Sequence, residues 1–149
     1  MSTIYIDADA CPVKDEIYRV AERYGASVFV VSNSWIRVPR GTRITLIAVS
    51  EGPDAADDWI AERAGAGDVV ITADVPLADR ALKAGAQALH PTGRPFTSES
   101  IGAALVSRTI GEHLRSIGEV TRGPKPFTTA DRSRFLQALD AAVVRARRR

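Results

Sequence analysis

The sequence is poor in the residues that build most thiol and zinc sites. It has one cysteine and two histidines. No internal disulfide can form, and no Cys/His cluster of zinc-ligand spacing is present. One cysteine also fits a reducing compartment. No apolar run approaches the roughly 20 residues of a membrane span. No secretory leader pattern precedes the first apolar run, so a cytoplasmic protein with no membrane association is expected. There is no internal repeat and no low-complexity linker. What remains is an ordinary globular composition, 45% hydrophobic and 26% charged over 149 residues, which predicts a single domain spanning 1–149. Charge is uneven along it. Residues 1–100 carry 10 Lys+Arg against 14 Asp+Glu, and residues 101–149 carry 10 against 4. An acidic body with a basic final third suits a metal centre paired with a phosphate-attracting surface. Arg147, Arg148 and Arg149 are expected as a loose basic tail.

Strands and helices alternate. Residues 3–6 are an apolar, β-branched run that predicts a buried strand, closed by Asp7 and Asp9. Pro12 suits the first turn of a helix whose apolar positions Val13, Ile17, Val20, Ala21 and Tyr24 recur at helical spacing. Gly25 supplies its left-handed cap. Further strands are predicted at 27–31, 44–49, 68–72 and 86–89. Further helices are expected after Gly52-Pro53-Asp54, after Asp74-Val75-Pro76, after Thr97 or Ser98, and after Thr128 or Thr129. Residues 35–43 are a loop or short strand carrying Arg37, Arg40 and Arg43 beside Trp35, and residues 118–128 are a basic loop carrying Lys125. The alternation implies an α/β fold of three layers, a mainly parallel sheet with helices on both faces. Right-handed crossovers point all strand ends the same way, and ligands bind beyond those ends. Asp7, Asn33 and Asp74 each end or follow a predicted strand, so they are expected to share one rim.

The acidic residues on that rim carry the chemistry. Asp9 lies near a helix start, where the dipole welcomes a negative charge, but Asp7 is too far ahead to cap anything. Asp54, Asp57 and Asp58 crowd the start of the second helix. Dipole complementarity there is worth about 0.3–1 kcal/mol per charge, and repulsion at i+3 and i+4 costs about 0.2–0.5 kcal/mol per pair. The two nearly cancel, so stability alone does not explain three carboxylates. Asp57 or Asp58 is expected to face the rim. Asp74 alone would be a simple N-cap. Asp7, Asp9, Asp57, Asp58 and Asp74 together make an oxygen-only ligand set, which suits Mg2+ or Mn2+. Ions held this way activate water and stabilise an in-line phosphoryl transition state. Asn33, Arg37 and Lys125 are candidates for holding substrate. Trp35, among arginines, is a candidate base-stacking ring, with a place in the core as the plain alternative. Cys11 is expected as a small packed residue and not a nucleophile, since carboxylates surround it in sequence.

Four stretches carry a resemblance. Asp7-Ala-Asp-Ala-Cys-Pro-Val-Lys14, Gly52-Pro-Asp-Ala-Ala-Asp-Asp-Trp-Ile60, Gly67-Asp-Val-Val-Ile-Thr-Ala-Asp74 and Gly123-Pro-Lys-Pro-Phe-Thr128 resemble the YaiI/YqxD family of uncharacterised bacterial proteins. The resemblance implies a PIN-like fold, known for Mg2+/Mn2+-dependent ribonucleases, and would place the acids of that fold on Asp7, on Asp57 or Asp58, and on Asp74. Asp9 is an additional acid here, and Glu16 a further contributor. The expected function is therefore metal-dependent hydrolysis of phosphodiesters in RNA, with Asp7, Asp9, Asp57 and Asp74 as catalytic acids. One alternative is a non-catalytic RNA- or protein-binding module of the same fold. Another is a phosphatase of the haloacid-dehalogenase type, in which Asp7 would be the nucleophile and Asp9 the acid/base.

Overall fold

The computed structural model describes residues 2–8, 11–39, 43–50, 54–103 and 127–147. Their elements run β1 (Thr3–Asp7), α1 (Lys14–Tyr24), β2 (Ser27–Ser32), β3 (Ile44–Ala48), α2 (Ala55–Arg63), β4 (Val69–Ile71), α3 (Val75–Lys83), β5 (Gln87–Leu89) and α4 (Thr129–Arg147). Residues 98–103 are also helical. The five strands form one sheet in the order β3-β2-β1-β4-β5, and every pairing is parallel. The α/β architecture expected from the alternation is the one observed.

Side-chain alternation along each strand divides the interior in two. Ile4 and Ile6 of β1, Val28 and Val30 of β2, and Val69 and Ile71 of β4 face α1 and α4. Tyr5, Val31 and Val70 face α2 and α3 instead. α1 and α4 bury most of the stripe that their spacing predicts, with Tyr24 and Leu136 half-buried. In α1 the buried part is Ile17, Val20 and Ala21, and in α4 it is Phe135, Leu139, Ala142 and Val143, continued by Ala146. Trp59 lies half-buried over Tyr5 and Phe29, with the Arg63 guanidinium 4.1 Å above its ring. It is a lid on the second core.

The helix ends differ in detail from expectation. Pro12 does not open α1: the helix starts at Lys14, Val13 takes the cap position, and the Pro12 carbonyl accepts a hydrogen bond from Arg132 at 2.8 Å. Gly25 is the left-handed cap at φ 67°. Of the paired candidates, Thr97 and Thr128 are the caps. Each exchanges reciprocal bonds with the residue three positions on, Thr97 with Ser100 and Thr128 with Asp131. Residues 35–39 are irregular, not a strand.

Polar bonds sew α4 to α1. The Tyr24 hydroxyl donates to Asp140 at 2.6 Å, Arg23 pairs with the same carboxylate, and Arg132 reaches Glu16 at 3.4 Å. Phe135 is fully buried between α1 and the sheet. Phe135→Ala is expected to destabilise the protein by about 3–5 kcal/mol, read as a lowered urea midpoint with unchanged slope.

Candidate acidic site at the sheet switch point

The strand order fixes where a site can form. From β1 the chain crosses by α1 to β2 on one side, and from β4 it crosses by α3 to β5 on the other. α1 and α3 cover opposite faces of the sheet. A crevice therefore opens beyond the ends of β1 and β4, the position where doubly wound sheets bind ligands. Asp7 is the last residue of β1. Because Ile6 aligns with Ile71, Thr72 stands level with Asp7 across the crevice.

Thr72 joins the two sides. It is 1% exposed. Its hydroxyl donates to Asp7 Oδ2 at 2.9 Å and accepts the Asp74 N–H at 2.9 Å. One buried hydroxyl thus orients the β1 carboxylate and shapes the turn into α3. Asp74 occupies the N-cap position of α3, yet its side chain makes no capping bond. Its carboxyl instead shares a hydrogen bond with Asp57, from the first turn of α2. Two carboxyls share a hydrogen bond only when one holds a proton. Burial is the largest influence on Asp57, followed by the Asp74 bond and the charges of Asp74, Asp7 and Asp54. Together they push its pKa from 3.8 to about 7.

The structure thus separates the two neighbours in α2. Asp57 turns into the crevice, whereas Asp58 turns outward to Arg80 at 2.8 Å in an exposed ion pair. Asp54 sits at the α2 cap position without a side-chain cap bond, and its charge also bears on Asp57. Asp9 and Lys125 lie outside the described residues. Asn33 and Arg37 are exposed on the segment that leaves β2 at this same rim. Glu16 is drawn away to Arg132. Cys11 is buried, and burial pushes its thiol pKa up, which opposes a thiolate. Trp35 is 77% exposed, so its place is not in the core.

The donor chemistry here is all oxygen and suits a hard divalent cation. Yet among the described residues no three His, Cys, Asp or Glu side chains are gathered closely enough to hold an ion as they stand. Asp57 is engaged with Asp74, and Asp7 is held by Thr72. Thr72 is the residue that sequence reasoning passed over. Its signal was a hydroxyl ending an otherwise apolar strand, two positions before Asp74.

Comparison with known proteins gives a consistent kinship. Residues 5–145 match a family described as "Uncharacterized BCR, YaiI/YqxD family". The chain is 71% identical over 148 residues to a "UPF0178 protein" of Caulobacter sp. (strain K31), covering 99% of this chain and 98% of the relative. It is 66% identical over 148 residues to one from Caulobacter vibrioides (strain NA1000 / CB15N), covering 99% and 97%. It is 58% identical over 146 residues to one from Azorhizobium caulinodans, covering 98% and 92%. No solved structure matches the chain.

The raised Asp57 pKa has a defined sign in stability. The folded protein keeps a proton here that the unfolded chain releases near pH 3.8. This contribution is fully present below that pH and is lost as pH rises through about 7. Asp57→Asn keeps a donor toward Asp74 and removes the charge. In EDTA, the variant's urea midpoint is expected to exceed the parent's at pH 8, with the gap closing toward pH 4. A gap that does not change with pH would show that Asp57 titrates normally.

Proposed function

The chain belongs to the uncharacterised bacterial YaiI/YqxD family, and we propose that it is a Mg2+- or Mn2+-dependent nuclease hydrolysing phosphodiesters in RNA. One observation carries this reading. Carboxyls from β1, α2 and the β4–α3 turn meet at the switch-point crevice, and burial with mutual repulsion drives Asp57 to about 7. A cluster that takes up a proton to relieve its own charge is one that a divalent cation would relieve. Asp7, Asp57 and Asp74 would hold the cation, with Asp9, two residues beyond Asp7, as a further donor. When bound, such an ion supplies Lewis-acid activation of water and neutralises charge at the phosphoryl transition state.

The chain's own residues do the positioning. Thr72 fixes the Asp7 carboxylate against β4, so Asp7 meets its ligand in one orientation. Asp57 must give up its proton, so cation binding tightens as pH rises through about 7. Asn33, Arg37 and Lys125 are the proposed contacts to the RNA strand. Trp35, beside Arg37 on the same rim, offers a ring for base stacking. The PIN-like relationship belongs to this proposal, as analogy at the level of fold.

A second reading is a non-catalytic RNA- or protein-binding module. It is favoured by the lack of a closed three-residue ligand set among the described residues. Turnover separates the two. With Mn2+ and single-stranded RNA, the parent chain is expected to cleave, EDTA to stop it, and Asp7→Asn or Asp74→Asn to lower the rate by about 100-fold or more with the circular dichroism spectrum unchanged. Equal cleavage by parent and variants would end the nuclease reading. Salt-sensitive RNA binding without cleavage in either metal would leave the module.

A further inference from the structure

On the far side of the Asp74 turn lies a cavity of about 550 Å³. Ala73 and Val75, the residues flanking Asp74, form the wall nearest the carboxylates. The loop after β5 and the helix α4 form the rest. That loop is a tight turn: Gly93 N–H donates to the His90 carbonyl at 2.8 Å, and His90 N–H donates to the Arg94 carbonyl at 2.9 Å. It lies directly on α4 because position 93 has no side chain. A Cβ there would stand 3.3 Å from the Arg134 carbonyl oxygen and from Phe135 Cα, and φ is +93°. The same close approach makes Arg134 and Arg94 lining residues of one cavity, although 40 positions separate them in sequence.

Among the described residues, the wall contains two guanidinium groups, one imidazole and no carboxylate. Arg94 is exposed. Among the described residues, Arg134 holds a long 3.4 Å contact to Asp131, an exposed pair of little strength. His90 Nδ1 accepts the Thr92 N–H at 3.0 Å. An imidazole accepting at Nδ1 carries its proton on Nε2 and donates there. Burial, with the nearby Arg94 charge, lowers the His90 pKa and keeps the ring neutral at pH 7. Phe96, 6.1 Å from His90 between ring centres, and Pro95 complete an apolar side.

Two guanidiniums and a neutral donor select an anion of phosphate type. An aromatic wall beside them selects a flat apolar body attached to that anion. The volume lies in the range of small-molecule sites. We propose that this cavity is a nucleotide subsite. It takes one nucleoside monophosphate unit of an RNA strand, with the phosphate on Arg94 and Arg134 and the base against Phe96 and Pro95. Its place beside the scissile phosphate rests on the nuclease reading above. Its affinity for a nucleotide does not, because none of Asp7, Asp57 or Asp74 lines it.

The test is calorimetric titration of the full chain with 5′-AMP in EDTA, with inorganic phosphate and adenosine as comparators. AMP is expected to bind more tightly than either comparator. Arg94→Ala, at an exposed position, is expected to weaken AMP binding by about tenfold or more, and Phe96→Leu to weaken it while leaving phosphate unaffected. Failure of AMP to bind, equal binding by parent and Arg94→Ala, or phosphate binding as tightly as AMP would each overturn the subsite. RNA cleavage is scored separately. AMP binding that depends on Arg94, with no cleavage in either metal, sustains the subsite and removes the nuclease reading. Cleavage that needs Asp7 but has an unchanged KM in Arg94→Ala removes the subsite and sustains the nuclease reading.

Discussion

The Thr72 hydroxyl is the bond on which the site depends. It is buried at the end of β4, where an unsatisfied hydroxyl would cost about 1–3 kcal/mol. It satisfies itself by donating to Asp7 and accepting from the Asp74 amide. Parallel pairing of β1 with β4 puts Asp7 and Thr72 level, and the turn into α3 brings the Asp74 amide back to the same hydroxyl. The hydroxyl also explains why Asp74 can leave its capping role. The turn into α3 is already held by Thr72, so the Asp74 carboxyl is free to swing to Asp57.

Charge and burial oppose each other in this crevice. The fold gathers half-buried carboxylates, and the raised pKa of Asp57 is the local consequence. A few ångströms of chain away, past Ala73 and Val75, the sign reverses and arginines line a cavity. Juxtaposed fields of opposite sign are suited to a ligand that carries its own negative charge and brings a counter-ion with it.

Much of the architecture was legible because strand runs and helix stripes follow two clean periods. Ile17, Val20, Phe135 and Leu139 fall where the spacing put them. The rim was legible as well, since parallel strands must end on one side. Other features depended on contacts between distant residues. Asp57 and Asp58 sit in a helix with apolar residues on several sides, so its inward face was ambiguous until Arg80, 22 positions away, drew Asp58 outward. Pro12 looked like the opening of α1, but Arg132 at 120 positions' remove uses its carbonyl in the approach to the helix. Asp74 as N-cap was the natural local reading, and Asp57 overrode it. The Arg94–Arg134 cavity had no local signal, because only the bare Gly93 backbone brings them together.

The ties between α1 and α4 join some of the earliest and latest structured segments of the described chain, at separations of 116 to 120 residues. During vectorial synthesis the sheet and its α2–α3 face can assemble as they emerge from the ribosome. The opposite face of β1, with Ile4 and Ile6, has α1 on it early, but its α4 cover is the last of the described elements to be translated. Until then the part of the core that Phe135, Leu139 and Val143 will cover is open to water, so the order in which the layers are made leaves the completion of this core to the end of synthesis.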